Sequence, residues 1–137
     1  MLENQRINIK IKLAALWTTV TLCYLYGDYF ELYTPDKVNS LISGENNLDS
    51  PIKLLTASII LAISSLMVAA SVLLKPNINQ ILNILFGSLF TLMMVVIGIY
   101  STHDWYLFYV FLAFLESMVT ALIVWYAWKW PKETSKS

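Results

Sequence analysis

The pattern of apolar and polar positions divides the chain into four apolar stretches separated by shorter polar segments. The stretches cover residues 11–33, 52–74, 79–100 and 105–128. At a rise of about 1.5 Å per residue, each would form a helix roughly 30 Å long, which is enough to cross a bilayer. Backbone groups in lipid must be hydrogen-bonded within their own segment, so helices are expected. The sequence therefore predicts an all-α integral membrane four-helix bundle, forming a single transmembrane domain over residues 1–137.

The longest polar segment has a helical pattern of its own. It covers residues 34–50, and within it Val38, Leu41 and Ile42 share one helical face. Gly44 follows them, as expected for the end of a helix. This spacing predicts a short amphipathic helix on the membrane surface, between the first and second spans.

The basic residues are distributed unevenly over the two sides of the predicted membrane. Lys37 and Lys53 lie on the side of the 34–50 loop. The other seven of the nine basic residues lie near the chain ends or in the loop between the second and third spans: Arg6, Lys10, Lys12, Lys75, Lys129, Lys132 and Lys136. Because cytoplasmic loops carry an excess of Lys and Arg, the sequence predicts a multi-pass protein of the cell inner membrane with both termini in the cytoplasm.

Composition agrees with a membrane protein and disfavours several other classes. The 137 residues are 58% hydrophobic and 13% charged, whereas soluble domains carry about 25% charged residues. The formal net charge is zero, which argues against a nucleic-acid partner. The sequence has no phosphate loop, no nucleophile elbow and no zinc-protease motif. We therefore expect no enzyme activity, no catalytic residues, no cofactor and no bound metal, and the lipid bilayer is the expected partner.

Glu116 is the most informative residue, because it lies inside the fourth apolar stretch. Counting from Trp105, it lies roughly 16 Å deep, where a carboxylate costs about 3 kcal/mol on insertion scales. Tyr109 and Thr120 share its helical face. Since no Lys or Arg lies at that depth in any span, the acid must be neutral or must contact a cation, a proton path or water. We expect it to face protein and not lipid.

The first apolar stretch carries a polar stripe at steps of four, three, four and three residues. Its members share one helical face: Trp17, Thr21, Tyr24, Asp28 and Glu31. Asp28 is expected about one turn below the outer boundary, so the stripe would face other helices.

These residues support two hypotheses from different functional classes. In the first, Asp28 and Glu116 line a polar cavity that binds or transports a cation, a proton or another small ligand, with Tyr24 and Asp28 at its mouth and Glu116 at its floor. In the second, the protein is a structural or accessory membrane subunit that does not transport, and its acids only hold helices together. Four short helices leave little room for a pathway in one chain, so a homo-oligomer is also expected.

Two segments resemble an uncharacterised family of small bacterial four-span membrane proteins, a domain of unknown function. The first runs from the Leu-Ala-Ala-Leu-Trp motif at 13–17 through Tyr24-Leu25-Tyr26-Gly27-Asp28. The second joins Glu116 to the tryptophan-rich segment 124–131. The resemblance extends over residues 12–131. It implies the four-span topology and draws attention to Tyr24, Tyr26, Asp28 and Glu116, but implies no particular activity.

Overall fold

The computed structural model describes residues 1–132, in which all regular secondary structure is helical. Five α-helices and one 3₁₀ turn follow in chain order: α1 (Ile9–Glu31), α2 (Lys37–Ser43), α3 (Pro51–Leu73), α4 (Pro76–Tyr100), the 3₁₀ turn (Asp104–Tyr106) and α5 (Leu107–Trp128). The four predicted stretches correspond to α1, α3, α4 and α5. Lys136, which was counted among the cytoplasmic charges, lies outside the described residues.

Local sequence determines where these helices begin and end. At the start of α3 the Ser50 hydroxyl accepts a hydrogen bond from the Lys53 amide at 3.2 Å, and Pro51 occupies the first turn, where its missing N–H leaves no hydrogen bond unmade. The predicted surface helix corresponds to α2, which ends at Gly44 with a φ of 78°. That left-handed conformation favours glycine.

Three helical segments within residues 1–132 are long and apolar enough to cross a membrane. They are Pro51–Leu73, Pro76–Tyr100 and Asp104–Trp128, with mean hydropathies of 2.1, 2.3 and 2.2. This property indicates a membrane protein. Helix α1 is not among the three, although its 23 residues are long enough, because lysine, aspartate, tyrosine and tryptophan side chains lower its hydropathy. The predicted fourth span is therefore not established by hydropathy.

The distribution of side chains supports lipid as the solvent. Large apolar side chains lie on the outside of the helices; Leu73 is 78% exposed and Leu92 is 64% exposed. Asn79, Asn83 and Thr120 are fully buried. In a water-soluble domain the apolar side chains would occupy the interior and the amides the surface.

The four long helices form an antiparallel arrangement. Helix α1 packs between α3 and α5, and α5 packs along α4. Helices α1 and α4 meet across the centre, where the Trp17 and Phe90 rings lie 5.7 Å apart in an edge-on contact. We call the end with the short α3–α4 connection at residues 74–75 the turn end. The opposite end, with residues 32–50 and 101–106, is the loop end.

Helices α4 and α5 approach each other closely at Gly87. A Cβ atom placed there would lie 2.8 Å from Val124 Cγ2 and 3.4 Å from the Thr120 carbonyl oxygen. The hydroxyls of Thr91 and Thr120 are hydrogen-bonded at 2.7 Å in the same interface. The small and polar residues of α4 therefore serve helix packing here, as is common in membranes.

Candidate functional site

A cavity of about 190 Å³ lies among the four long helices. Its polar lining consists of Tyr24 and Asp28 from α1 and of Tyr109 and Glu116 from α5. The other eight lining residues are glycine or apolar and come from all four helices: Gly27, Ala57, Ile60, Leu61, Met93, Met94, Ile97 and Leu112. The two acids singled out in the sequence thus line a single cavity.

The arrangement of α3 and α4 explains why space remains there. The two helices are joined by a short connection, yet they contact each other little beyond the turn end. Towards the loop end they line the cavity from separate sides, through Ala57 and Ile60 on α3 and through Met93 and Ile97 on α4. The cavity therefore occupies the region where two successive helices diverge.

The Glu116 side chain lies deep in this region. The residue is only 5% exposed. Its backbone carbonyl accepts the Thr120 hydroxyl at 2.8 Å. Within residues 1–132, however, its carboxyl forms neither a hydrogen bond nor an ion pair. A buried carboxyl normally has such partners, so this group is available to something that enters the cavity.

The Tyr24 hydroxyl is another polar group of the cavity lining that has no partner in the described chain. The residue is 7% exposed, and its ring packs against Phe90 with centroids 5.8 Å apart. Its hydroxyl is buried and has no hydrogen-bond partner among the described residues. Two unsatisfied polar side chains thus line the same small cavity.

Asp28 lies at the more accessible part of the lining. It is exposed, whereas Glu116 is buried. The ion pairs within residues 1–132 join Lys37 to Glu31 at 3.0 Å and Lys53 to Asp49 at 2.7 Å. Neither acid of the cavity is neutralised by these pairs, so the cavity lining is negative or, where protonated, neutral.

A second, more polar cavity of about 380 Å³ adjoins the loop end. We call it the vestibule; its lining includes Glu31, His103, Tyr106 and Tyr109. Glu31, predicted as a site residue, is bound there to Lys37 and accepts the Tyr106 hydroxyl at 3.4 Å. Tyr109 lines both spaces, so its side chain forms part of the wall between the vestibule and the inner cavity.

Two other predicted site residues lie outside the inner cavity. Thr120 bonds to Thr91 in the α4–α5 interface. The Trp17 indole Nε1 donates to Asn83 Oδ1 at 2.7 Å, and both residues are fully buried. The stripe on α1 is thus divided: Tyr24 and Asp28 line the cavity, while Trp17 fixes α1 to α4.

The Trp17 contact belongs to a hydrogen-bonded group that the sequence did not reveal, which we call the amide network. Asn83 Nδ2 donates to Asn79 Oδ1 at 2.7 Å, and Asn79 Nδ2 donates to the Ser71 carbonyl at 2.7 Å. The Ser71 hydroxyl also donates to Asn83 at 3.4 Å. The spacing of two asparagines by four residues places them on one helical face, a pattern from which the pair could have been recognised.

The chemistry of the inner cavity favours a cation. No group of three or more His, Cys, Asp or Glu residues suitable for a metal ion occurs in the described part of the chain. No basic residue lines the cavity, so an anion would find no compensating charge. Two acids and two tyrosine rings instead offer negative charge and electron-rich faces, which attract positively charged groups.

The fold and the site together define a class, a helical membrane protein with an acid-lined cavity among its helices. The match to known families then places the chain: it belongs to a family of unknown function, DUF6326, which matches residues 2–137. No curated protein and no solved structure matches the chain. The expected membership of a domain of unknown function is confirmed, whereas the bacterial origin and the four spans of that family stay predictions.

Proposed function

We propose that this protein binds a cation in the cavity lined by Asp28 and Glu116 and passes it through the membrane. One observation carries the proposal: Glu116 is 5% exposed, and it lines a cavity in which its carboxyl has no protein partner in the described chain. Acids inside membranes are costly and are usually paired or functional. A cation entering the cavity would supply the missing partner.

The proposed topology has four spans, with α1 as the additional one. Its 23 residues give a length of about 35 Å, and it packs between α3 and α5. Five of the seven basic residues outside the loop end lie within or next to the ends of α1, α3 and α5: Lys10, Lys12, Lys75, Lys129 and Lys132. We therefore place the turn end and both termini in the cytoplasm of a cell whose inner membrane holds the protein.

Single-cysteine labelling tests this topology. Cys23 is the only cysteine, so Cys23→Ala gives a cysteine-free background. Glu45→Cys at the loop end should react with a membrane-impermeant maleimide in intact cells. Asn77→Cys at the turn end should react only after permeabilisation, and the reverse pattern would overturn the assignment.

The two cavities support a route from the loop end. A cation would first meet the vestibule, then pass Tyr109 to Asp28, and then reach Glu116. Negative charge near the mouth of a low-dielectric cleft raises the local concentration of cations. Asp28 would therefore assist capture, and Glu116 would hold the cation at the inner position.

Flux into proteoliposomes tests the proposal. Fluxes of sodium, potassium, protons and a small organic ammonium ion are measured for the intact protein and for three variants. Asp28→Asn should reduce uptake at low cation concentration more than at saturation. Glu116→Gln should abolish it, and Glu45→Gln, which neutralises an exposed acid of the loop end, should behave like the unmodified protein. Equal flux in all four preparations would contradict the proposal.

Two observations favour the alternative, a non-transporting structural or accessory subunit. Glu31 is joined to Lys37 and Tyr106, and the amide network joins α1, α3 and α4. These polar groups hold helices together. If Asp28→Asn and Glu116→Gln leave every flux and binding measurement unchanged, this alternative becomes the better account.

A further inference from the structure

We propose that the ligand of the inner cavity is a small organic ammonium ion with apolar substituents, about five to seven non-hydrogen atoms in size. This inference rests on the proposed function, because it names the ligand class of the same cavity. It follows from four features of the lining: its charge, its apolar walls, its volume and the free hydroxyl of Tyr24.

The apolar walls disfavour an inorganic cation as the preferred ligand. Eight of the twelve lining residues offer only glycine or hydrocarbon and thioether surface, among them Met93 and Met94. Hard cations such as Ca²⁺ and Mg²⁺ need six or more oxygen ligands, from protein or water. A hydrated ion would lose water against such walls without replacement, whereas alkyl groups gain from the same contact.

The aromatic and acidic lining suits an ammonium group. Tyr24 and Tyr109 come from different helices and line the cavity together. A cation above a tyrosine ring is attracted by the electron-rich face, and quaternary ammonium groups are commonly bound in this way. The ammonium group would then supply the positive partner that the Glu116 carboxyl lacks within residues 1–132.

The volume favours a small ligand. The space measures about 190 Å³. It is smaller than the ~300 Å³ at which drug-sized sites begin. A trimethylammonium or butylammonium head group is small enough for such a site, whereas a polycyclic drug is not.

The Tyr24 hydroxyl adds one hydrogen-bonding position. It is buried and unpartnered within residues 1–132, and a phenol can both donate and accept. A ligand with one hydroxyl or N–H group would satisfy it. Choline, with seven non-hydrogen atoms, is therefore a suitable probe, and its neutral isostere 3,3-dimethylbutan-1-ol differs from it in charge alone.

Calorimetric titration of the full chain in lipid nanodiscs tests the inference. The probes are choline, tetramethylammonium, butylammonium, 3,3-dimethylbutan-1-ol, NaCl and KCl at constant ionic strength. The three ammonium ions should bind, and the alcohol and the salts should not. Glu116→Gln should weaken choline binding by at least about tenfold, because a charge-assisted contact is worth about 1.5–3 kcal/mol.

Further variants test the Tyr24 hydroxyl and the cavity space separately. Tyr24→Phe keeps the ring and removes the hydroxyl, so it should weaken choline about threefold to tenfold and tetramethylammonium much less. Ala57→Leu leaves both acids in place and fills the space from α3, so it should exclude choline even if Glu116→Gln proves unstable. Glu45→Gln should leave binding unchanged.

The outcomes distinguish this inference from the proposed function. Equal binding of choline and its neutral isostere would show a merely apolar cavity and would overturn the inference. Glu116-dependent flux of sodium, potassium or protons without ammonium binding would leave the proposed function standing and the inference wrong. Absence of both binding and flux would contradict the two together.

Discussion

The turn end and the loop end differ in whether their buried polar groups have hydrogen-bond partners. At the turn end, Asn79, Asn83 and Ser71 are fully buried and bonded to one another, and Trp17 joins them at 2.7 Å. Towards the loop end, Glu116 is buried in the cavity lining without a partner in the described chain, and Tyr24 has an equally unsatisfied hydroxyl.

This difference separates satisfied from unsatisfied polar groups. Both regions carry groups that lipid would not tolerate at its surface. In the amide network the helices provide almost every donor and acceptor for one another, so nothing is left for a ligand. In the cavity the carboxyl of Glu116 and the phenol of Tyr24 keep their hydrogen-bonding capacity. The polar content of a membrane helix is therefore less informative than whether its polar atoms are satisfied.

The largest expected effect on stability follows loss of the amide network. Asn83→Leu removes the acceptor of the Trp17 indole and two donor contacts to Asn79. We expect the free energy of unfolding to fall by about 2 kcal/mol, since buried groups are left unpaired. Unfolding in mixed micelles measures it. Asn77→Leu, at an exposed position of the same helix, is the control, and equal losses in both variants would contradict the prediction.

The next largest effect on stability is expected at a glycine in a close helix contact, and a glycine in the cavity wall serves as its comparison. At Gly87 a Cβ atom would lie 2.8 Å from Val124, whereas at Gly27, in the cavity wall, its nearest contact is Leu112 at 3.6 Å. Gly87→Ala should lower stability by about 1 kcal/mol through overpacking. Gly27→Ala should leave stability unchanged or slightly raised, because alanine favours helices. Adding Val124→Ala should rescue Gly87→Ala, and failure of that rescue would count against the close α4–α5 contact.

The substitution Tyr24→Phe should raise the free energy of unfolding instead of lowering it. Because the native hydroxyl is buried without a partner, its removal should stabilise the ligand-free protein by up to about 1 kcal/mol. Trp17→Phe is the matched comparison at the turn end, and it should destabilise by about 1 kcal/mol because Asn83 loses its donor. Thermal unfolding of the two variants in the same detergent checks the pair. A destabilised Tyr24→Phe would show that the hydroxyl already has a partner.

The smallest change in stability is expected for Glu116→Gln. Since the carboxyl makes no hydrogen bond or ion pair within residues 1–132, the amide should fold with a free energy within about 0.5 kcal/mol of the original. The same preparation should lose cation flux. Collapse of its stability in detergent would indicate that Glu116 is ionised and holds a structural cation.

Periodicity predicted which residues share a face but not which neighbour that face meets. The grouping of Tyr109, Glu116 and Thr120 on α5 followed from helical spacing. The packing of α4 gives these residues different surroundings: Thr120 is hydrogen-bonded to Thr91, whereas Glu116 lines the cavity. The partner of Trp17 was likewise undetermined, because Asn83 lies on another helix. Helix ends depend on local signals such as Ser50 and Gly44, whereas the cavity depends on the divergence of α3 and α4, which no local pattern encodes.

The short connection at residues 74–75 is the point about which α3 and α4 would rotate relative to each other. Hydrogen bonds from Asn79 to the carbonyl groups of Ser71 and Leu74 fix the chain at this connection. Helix α3 has 23 residues and is about 35 Å long, so a rotation of about 5° at the connection displaces its far end by about 3 Å. A small rotation at this fixed connection would thus produce a larger change in the width of the cavity.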